Sequence, residues 1–250
     1  MILAAGRGER MRPLTDTCPK PMLQAGGKPL IAWHLEALAK AGFNHVVINH
    51  AHLGELIERG LGDGSQYGVD IAYSAEGTAL ETAGGIRKAL PLLANGPDSE
   101  PFLVLNGDVY TDWPINHANT VLQAWSALRP DQRPLAHLVL VPNPEHNPKG
   151  DFYLTPNGTV HGDAEHSAHS AYTFSGIGVY QTSLFKDLPL NEPAKLAPLL
   201  RQAMAQGRVT GELHLGLWLD IGTPARLNDL NEYLNHKVEM KEMPKESPAS

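Results

Sequence analysis

Cysteine is almost missing from this chain of 250 residues, where Cys18 stands alone. One thiol cannot close an internal disulfide, so no disulfide framework is expected, and such usage suits a reducing cytoplasm. A lone cysteine in a loop is read as incidental rather than reactive. Long apolar runs are lacking too. None approaches the roughly 18 residues a membrane span requires, and no secretory segment precedes the first strand, so the expectation is a cytoplasmic protein without a membrane partner. Positive charge is also short: 20 Lys and Arg against 27 Asp and Glu leave a net −7. Nucleic acid, which calls for a basic face, is therefore not an expected partner. Phosphate substrates stay open, because surface charges beyond about 8 Å are screened at physiological salt and local cations set the field. With 42% hydrophobic and 19% charged residues, the composition is that of a globule able to bury a core. The length allows one large α/β domain or at most two small ones.

What is present is concentrated near the start. Leu3 to Met22 reads LAAGRGERMRPLTDTCPKPM. A short apolar strand, Met1 to Ala4, runs into the turn Gly6-Arg7-Gly8, and prolines with Lys20 hold an extended segment behind it. Glycines let backbone N–H groups approach an anion, and a concave row of such donors is an anion nest. Arg7, Arg10, Arg12 and Lys20 put cations around that nest. Arginine can fork across two phosphate oxygens, whereas lysine acts as a mobile point charge. The residues themselves predict a polyphosphate cradle. Two better-known phosphate loops do not fit: Met11 stands where G-x-G-x-x-G needs its third glycine, and G-x-x-x-x-G-K-[ST] does not occur.

The order L-A-A-G-x-G-x-R-[LM]-x-P-L-T-x-x-x-P-K-P-[LM] resembles the signature of the sugar-1-phosphate nucleotidyltransferases, the NDP-sugar pyrophosphorylases. With the later motifs, the likeness covers about residues 1–234. It implies a Rossmann-like three-layer α/β fold with a mostly parallel mixed sheet, of the nucleotide-diphospho-sugar transferase type. It implies one catalytic domain over residues 1–236, an NTP and a sugar 1-phosphate as small-molecule substrates, and Mg²⁺ as cofactor.

The hydrophobic pattern agrees. Pro29 opens a helix through Ala41, with Leu30, Ile31, Leu35 and Leu38 as its apolar face and Gly42 as its stop. Val46–Ile48, Val69–Tyr73, Phe102–Leu105 and Ala136–Val141 read as strands; His52–Arg59, Glu81–Leu93 and Pro114–Leu128 read as helices. This alternation implies parallel pairing with right-handed crossovers and ligands beyond the carboxyl ends of strands. Beyond Gly150 a hairpin is predicted around Asn157-Gly158, then a strand at Thr173–Tyr180 and an amphipathic helix at Ala194–Ala205. One strand is expected over Val209–Leu219, followed by a helix from Pro224 to His236 with Thr223 as N-cap. The charged, aperiodic residues 237–250 are expected to be a disordered tail.

Asp108 and Asp220 each follow an apolar strand, in Leu105-Asn106-Gly107-Asp108 and Trp218-Leu219-Asp220-Ile221-Gly222-Thr223. Carboxylates at two strand ends can share one hard cation with room for phosphate oxygens. Each could otherwise simply start a turn or cap a helix. The family resemblance assigns them the Mg²⁺ and gives catalytic roles to Arg10, Lys20, Asp108 and Asp220. Arg10 would hold the leaving pyrophosphate, and Lys20 the sugar phosphate or the α-phosphate. Nucleotide contacts are implied for Ala5, Gly6, Gly8, Glu9, Arg10, Lys20, Glu76, Glu81 and Asn106. Sugar-phosphate contacts are implied for Gly150, Asp151, Ser175 and Gly176.

Two departures matter. Many relatives read L-G-T-A-G where this chain has Leu80-Glu81-Thr82-Ala83-Gly84, and members acting on N-acetylmuramate phosphate in cell-wall recycling look similar at this point. The resemblance therefore favours UTP and N-acetylmuramate 1-phosphate. Glucose-1-phosphate thymidylyl or uridylyl transfer, mannose-1-phosphate guanylyl transfer and a nucleotide-binding regulatory pseudoenzyme remain open. The second departure is the missing E-K-P motif, which removes the family's lysine contact to the sugar phosphate. Lys149 could meet an acidic sugar substituent, or be an ordinary solvated loop lysine. His45, His50 and His52, and separately His161, His166 and His169, match no tetrahedral spacing, so zinc is not expected.

Overall fold

The chain opens with β1 (Ile2–Leu3), which ends as the glycine turn begins. The hairpin β2 (Gln24–Ala25) and β3 (Lys28–Pro29) turns through Gly26 and Gly27, both at positive φ. Pro29 lies just ahead of α1 (Leu30–Lys40), where its fixed φ suits a helix start. Leu30, Ile31, Leu35 and Leu38 are buried, and Gly42 at φ 85 ends the helix. Then follow β4 (His45–His50), α2 (Gly54–Leu61), β5 (Asp70–Ala75), α3 (Glu81–Leu93), β6 (Phe102–Asn106) and β7 (Val109–Thr111). After α4 (Asn116–Ser126) and β8 (Ala136–Val141), β9 (Phe152–Leu154) and β10 (Val160–His161) pair antiparallel around Asn157-Gly158, as expected. β11 (Ala171–Tyr180), α5 (Leu196–Ala205), β12 (Val209–Leu213), β13 (Trp218–Asp220) and α6 (Pro224–Glu242) complete the order. The computed structural model describes residues 1–93, 101–162 and 170–242.

The main path of the nine-stranded sheet is β12-β8-β11-β6-β1-β4-β5, and along it only β11 runs antiparallel to its neighbours. Alternate strand residues feed two cores. Met1, Val47 and Val104 pack with Ile86 of α3 and Leu200 of α5; Ile2, Ile48 and Leu105 pack with Ile31 of α1, Ile57 of α2 and Trp125 of α4. Side chains alternate across a strand, so these clusters lie on opposite faces and the fold has three layers. Fully buried Ile2, Ile48 and Leu105 each contribute roughly 1.5–3 kcal/mol relative to exposure. The architecture is the mixed, mostly parallel α/β sheet that the sequence predicted.

A third cluster explains the odd position of Met11. This residue is fully buried against Leu23, Leu30, Tyr110 and Ile221 and against Leu227, Leu230 and Leu234 of α6. Where a dinucleotide loop would use glycine to start a long helix, this loop makes a single tight turn, Glu9–Met11, pinned down by the methionine.

Two expectations are corrected. The strand predicted over Val209–Leu219 is broken: β12 extends the main sheet beside β8, while β13 pairs with β7 in a separate ribbon. Between them the His214 N–H donates to the Leu140 carbonyl (2.8 Å) and its ring contacts Asp112 Oδ1 (2.9 Å), fixing the switch of sheets. The last helix continues past His236 to Glu242, into the stretch expected to be a tail.

β11 is bulged. Its register against β8 shifts between Phe174 and Ile177, leaving Ser175 and Gly176 out of the ladder. Gly176 has φ 81, and a Cβ there would fall 2.5 Å from Asn106 Nδ2. G176A is therefore expected to lower stability by roughly 1–2 kcal/mol from the left-handed backbone alone. It should also displace Asn106. Urea unfolding measures the first and the nucleotide KM the second; an unchanged midpoint would show that the bulge relaxes freely.

Candidate active site

A cleft of about 310 Å³ opens at the carboxyl ends of β1, β4 and β6. Its walls include Ala4 to Gly6, Asn49, Glu81, Thr82 and Asn106, with Lys20 and Asp108 also lining it. Ala5 and Gly6 lie on its wall, and their backbone N–H groups donate to no acceptor among the described residues. Gly8 (φ 66) makes the turn, and Thr15 Oγ1 donates to its carbonyl at 2.8 Å. A Cβ on Gly8 would lie 3.0 Å from Thr15 Cγ2 and 3.3 Å from Lys20 Cβ, so its bareness lets the lysine lie against the loop. Lys20 is only 8% exposed, and its Nζ reaches Asp108 Oδ2 at 2.6 Å. Glu9 is exposed and lines none of the cavities described here. Arg12, expected around the nest, instead pairs with Asp16 at 2.9 Å on the surface.

Glu76 and Glu81 separate in an instructive way. Glu76 is buried, with Oε1 accepting from Asn49 Nδ2 (2.6 Å) and Oε2 from the Leu80 N–H (2.7 Å). Asn49 Oδ1 accepts from the Ala4 N–H at 3.0 Å, so this pair braces the cleft floor from behind. Glu81 is exposed on the cleft wall at φ 60, a left-handed conformation that favours glycine.

A second cavity, about 300 Å³, contains both predicted metal carboxylates together with Arg10, His146, Asn147 and Trp218. The β7–β13 ribbon brings together acids that lie far apart in the chain. Asp220 pairs with Val109, and the Ile221 N–H donates to the Asp108 carbonyl at 2.8 Å. Gly222 makes room for Arg10: a Cβ there would sit 3.0 Å from Arg10 Nη2 and 3.2 Å from Asp220 Oδ1. Asp220 Oδ2 accepts from Arg226 Nη1 (2.9 Å) and lies 3.5 Å from His146 Nε2. Behind Asp108, His34 is buried, and desolvation pushes its pKa down to about 4 against the raising influence of Val109, Asp108 and Asn106. It is therefore neutral at physiological pH and adds no charge behind the acid.

The donor set suits a hard cation. Two carboxylates in one cavity, each held by a cationic side chain, match the way Mg²⁺ is bound by one or two carboxylates plus phosphate oxygens. Among the described residues no group of three or more His, Cys, Asp or Glu is arranged to hold a metal. His45 contacts Asp70, His50 contacts Glu58 and His52 meets the Thr15 carbonyl. His166 and His169 lie outside the described residues.

The predicted sugar side is built mainly from inward-facing bonds. Gly150 (φ 67) turns the chain where a Cβ would meet Asn143 Oδ1 and the Tyr172 N. Asp151 accepts from Asn147 Nδ2 (3.1 Å) and from the Phe174 N–H (2.8 Å), tying its loop to β11. Ser175 Oγ donates to the Val139 carbonyl, and its own carbonyl accepts from Trp218 Nε1 at 2.9 Å. Ser175 lines the acid cavity, and Asp151 lines a third cavity of about 330 Å³. Asn106 is on the wall of all three. Lys149 is exposed and lines none. Asn147, Trp218 and Arg226 were not singled out from sequence as site residues. Only Arg226 had a usable signal, three residues past the predicted N-cap Thr223 and so facing back toward Asp220.

No helix among the described residues is long and apolar enough to cross a membrane. The chain is 55% identical over 230 residues to an N-acetylmuramate alpha-1-phosphate uridylyltransferase of Neisseria meningitidis serogroup B, spanning 92% of this chain and 95% of that one. A protein of the same description from Caulobacter vibrioides is 35% identical, with 90% and 91% covered. The fold matches the crystal structure of a Bacillus anthracis protein assigned as a glucose-1-phosphate thymidylyltransferase, with a TM-score of 0.76 over 98% of this chain and 96% of that one at 20% identity. Residues 1–237 match the model of the nucleotidyl transferase family, and the chain belongs to that family.

Proposed function

We propose that this chain transfers a uridylyl group from UTP to N-acetylmuramate 1-phosphate, releasing pyrophosphate, with residues 1–236 as one catalytic unit. The observation that carries the reading is the meeting, at Asp108, of an amide-lined cleft with a two-carboxylate cavity. The identity of the sugar and the base rests on the 55% identity to the Neisseria relative.

An oxygen of the sugar phosphate attacks the α-phosphorus; the bond from that phosphorus to the bridging oxygen of the β-phosphate breaks, and its electron pair leaves with pyrophosphate. No base is needed, because a phosphate monoester with a second pKa near 6 is already largely dianionic at neutral pH. The obstacle is repulsion between the esters, about 4 kcal/mol for one like-charge contact at 4 Å and an effective dielectric of 20. The N–H groups of Ala5 and Gly6, with Arg10, hold the departing phosphates; Lys20 neutralises charge at the reacting one. Asp108 and Asp220 are the residues that would hold Mg²⁺, which when bound supplies charge stabilisation to the phosphates. Glu76 keeps the loop beneath the base closed, and Asn106 borders both substrates. Catalysis then rests on positioning and fixed charge.

The test is pyrophosphate release across UTP, dTTP and GTP, each with N-acetylmuramate, N-acetylglucosamine, glucose and mannose 1-phosphates, with and without EDTA. UTP with the N-acetylmuramate ester is expected to give the highest kcat/KM, and chelation to silence it. A preference for GTP with mannose 1-phosphate would overturn the assignment. Release from no pair would mark a binding protein without turnover.

A further inference from the structure

The two acids of the reaction cavity are each held through one oxygen. Asp108 meets Lys20 through Oδ2 (2.6 Å), and Asp220 meets Arg226 through Oδ2 (2.9 Å). The two cations differ in what else they face. Lys20 lines the nucleotide cleft, so its flexible ammonium can pass from Asp108 to a phosphate. Arg226 lines none of the three cavities described above. It stands in a fourth, of about 670 Å³, which shares His146, Trp218 and Asp220 with the acid cavity. Its guanidinium therefore approaches Asp220 from outside the reaction space.

Arg226 grips that residue at two points. Its Nη1 donates to the Asp220 carbonyl (3.3 Å) as well as to Oδ2, so the main chain and side chain of one residue are clamped together. His146 Nε2, 3.5 Å away, faces the same oxygen. Oδ1 accepts from no donor among the described residues, and a Cβ on Gly222 would come within 3.2 Å of it. The bare glycine keeps that side open. Asp220 thus presents one oxygen to the acid cavity, with a fixed positive charge behind the other. A carboxylate already compensated by a guanidinium attracts a divalent ion weakly, so phosphate oxygens are needed to complete the site.

We infer that Arg226 is a positioning residue: it aims Oδ1 of Asp220 into the acid cavity, and its charge keeps a divalent ion from settling there before the nucleotide arrives. The inference rests on the reading of Asp108 and Asp220 as the pair that would hold Mg²⁺. Arginine suits the task because its charge does not titrate and its planar fork holds one orientation.

The experiment titrates Mn²⁺ alone into the nucleotide-free chain, read by loss of the free-ion electron paramagnetic resonance signal, and compares kcat at saturating Mg²⁺. Arg226→Gln is expected to tighten Mn²⁺ binding by roughly 10-fold or more, a gain that vanishes in the double variant with Asp220→Asn. The same variant should lower kcat by roughly 10-fold, because the carboxylate is no longer aimed. Arg226→Lys keeps the charge without the two-point grip, so Mn²⁺ binding should stay within about twofold while kcat still falls. The α6 cap joins the Arg226 N–H to Thr223 Oγ1 (3.4 Å) and does not use the guanidinium, so the urea midpoint should hold. Unchanged or weaker Mn²⁺ binding in Arg226→Gln overturns the inference and leaves the metal reading standing. So does a urea midpoint that falls in step with kcat, which would make Arg226 a structural prop. Asp220→Asn that binds Mn²⁺ as well as the unaltered chain does, with UDP-N-acetylmuramate present, brings down the metal reading and this inference with it.

Discussion

Asp108→Asn is expected to lower kcat by roughly 10³-fold or more, about 4 kcal/mol of transition-state stabilisation, while leaving the fold intact. Asparagine has nearly the same shape, and the bond that ties this residue into the ribbon uses the backbone carbonyl rather than the side chain. The amide oxygen can still accept from Lys20, so packing has little reason to change. What disappears is one of the two negative charges in the acid cavity and, on the proposed reading, half of the protein's grip on Mg²⁺. Pyrophosphate release should stay low at every magnesium concentration, with a urea midpoint close to that of the unaltered protein. Undiminished turnover would remove Asp108 from the chemistry. Recovery at high magnesium would mean that it sets affinity for the ion rather than rate.

Lys20→Ala is expected to reduce kcat/KM for the sugar phosphate by roughly 10²- to 10³-fold, matching about 3–4 kcal/mol. The folded state should lose far less. Lys20 is buried, but the Asp108 side chain it pairs with is 36% exposed and can be solvated when the partner goes. An ion pair screened on one side contributes only about 1 kcal/mol or less to stability. Lys20→Arg should recover little of the activity. The loop is fitted to a slender chain, since Lys20 Cδ would lie only 3.4 Å from a Cβ on Gly8, and a planar guanidinium needs more width. Parallel kinetics and unfolding on the two variants decide the matter. If stability and activity fall together in Lys20→Ala, the lysine is a structural prop rather than a participant.

The site was legible where its chemistry is local in the chain. The turn at Gly6-Arg7-Gly8, Lys20 behind it, and an acid at the end of an apolar strand each declare themselves within a few residues. α3 and β8 also kept their expected bounds, because long or strongly apolar runs outweigh their surroundings. What could not be read depends on partners far away. Glu76 looks like a ligand-binding acid until Asn49 and the Leu80 N–H are seen to occupy both oxygens. Apolar spacing over Leu213–Leu219 cannot announce a change of sheet, since alternation says which side of a strand is buried but not which strand it faces. β7 is three residues long, too short for any period to register.

The ribbon of β7 and β13 has a mechanical implication. Because main-chain bonds couple residue 108 to residue 221, the pleat sets how far apart the two acids are anchored, while Lys20 and Arg226 set where their carboxylates point. A volume change in either large core can lower the melting temperature without retuning that gap. Any opening or closing of the enzyme must carry the two acids as a single rigid jaw.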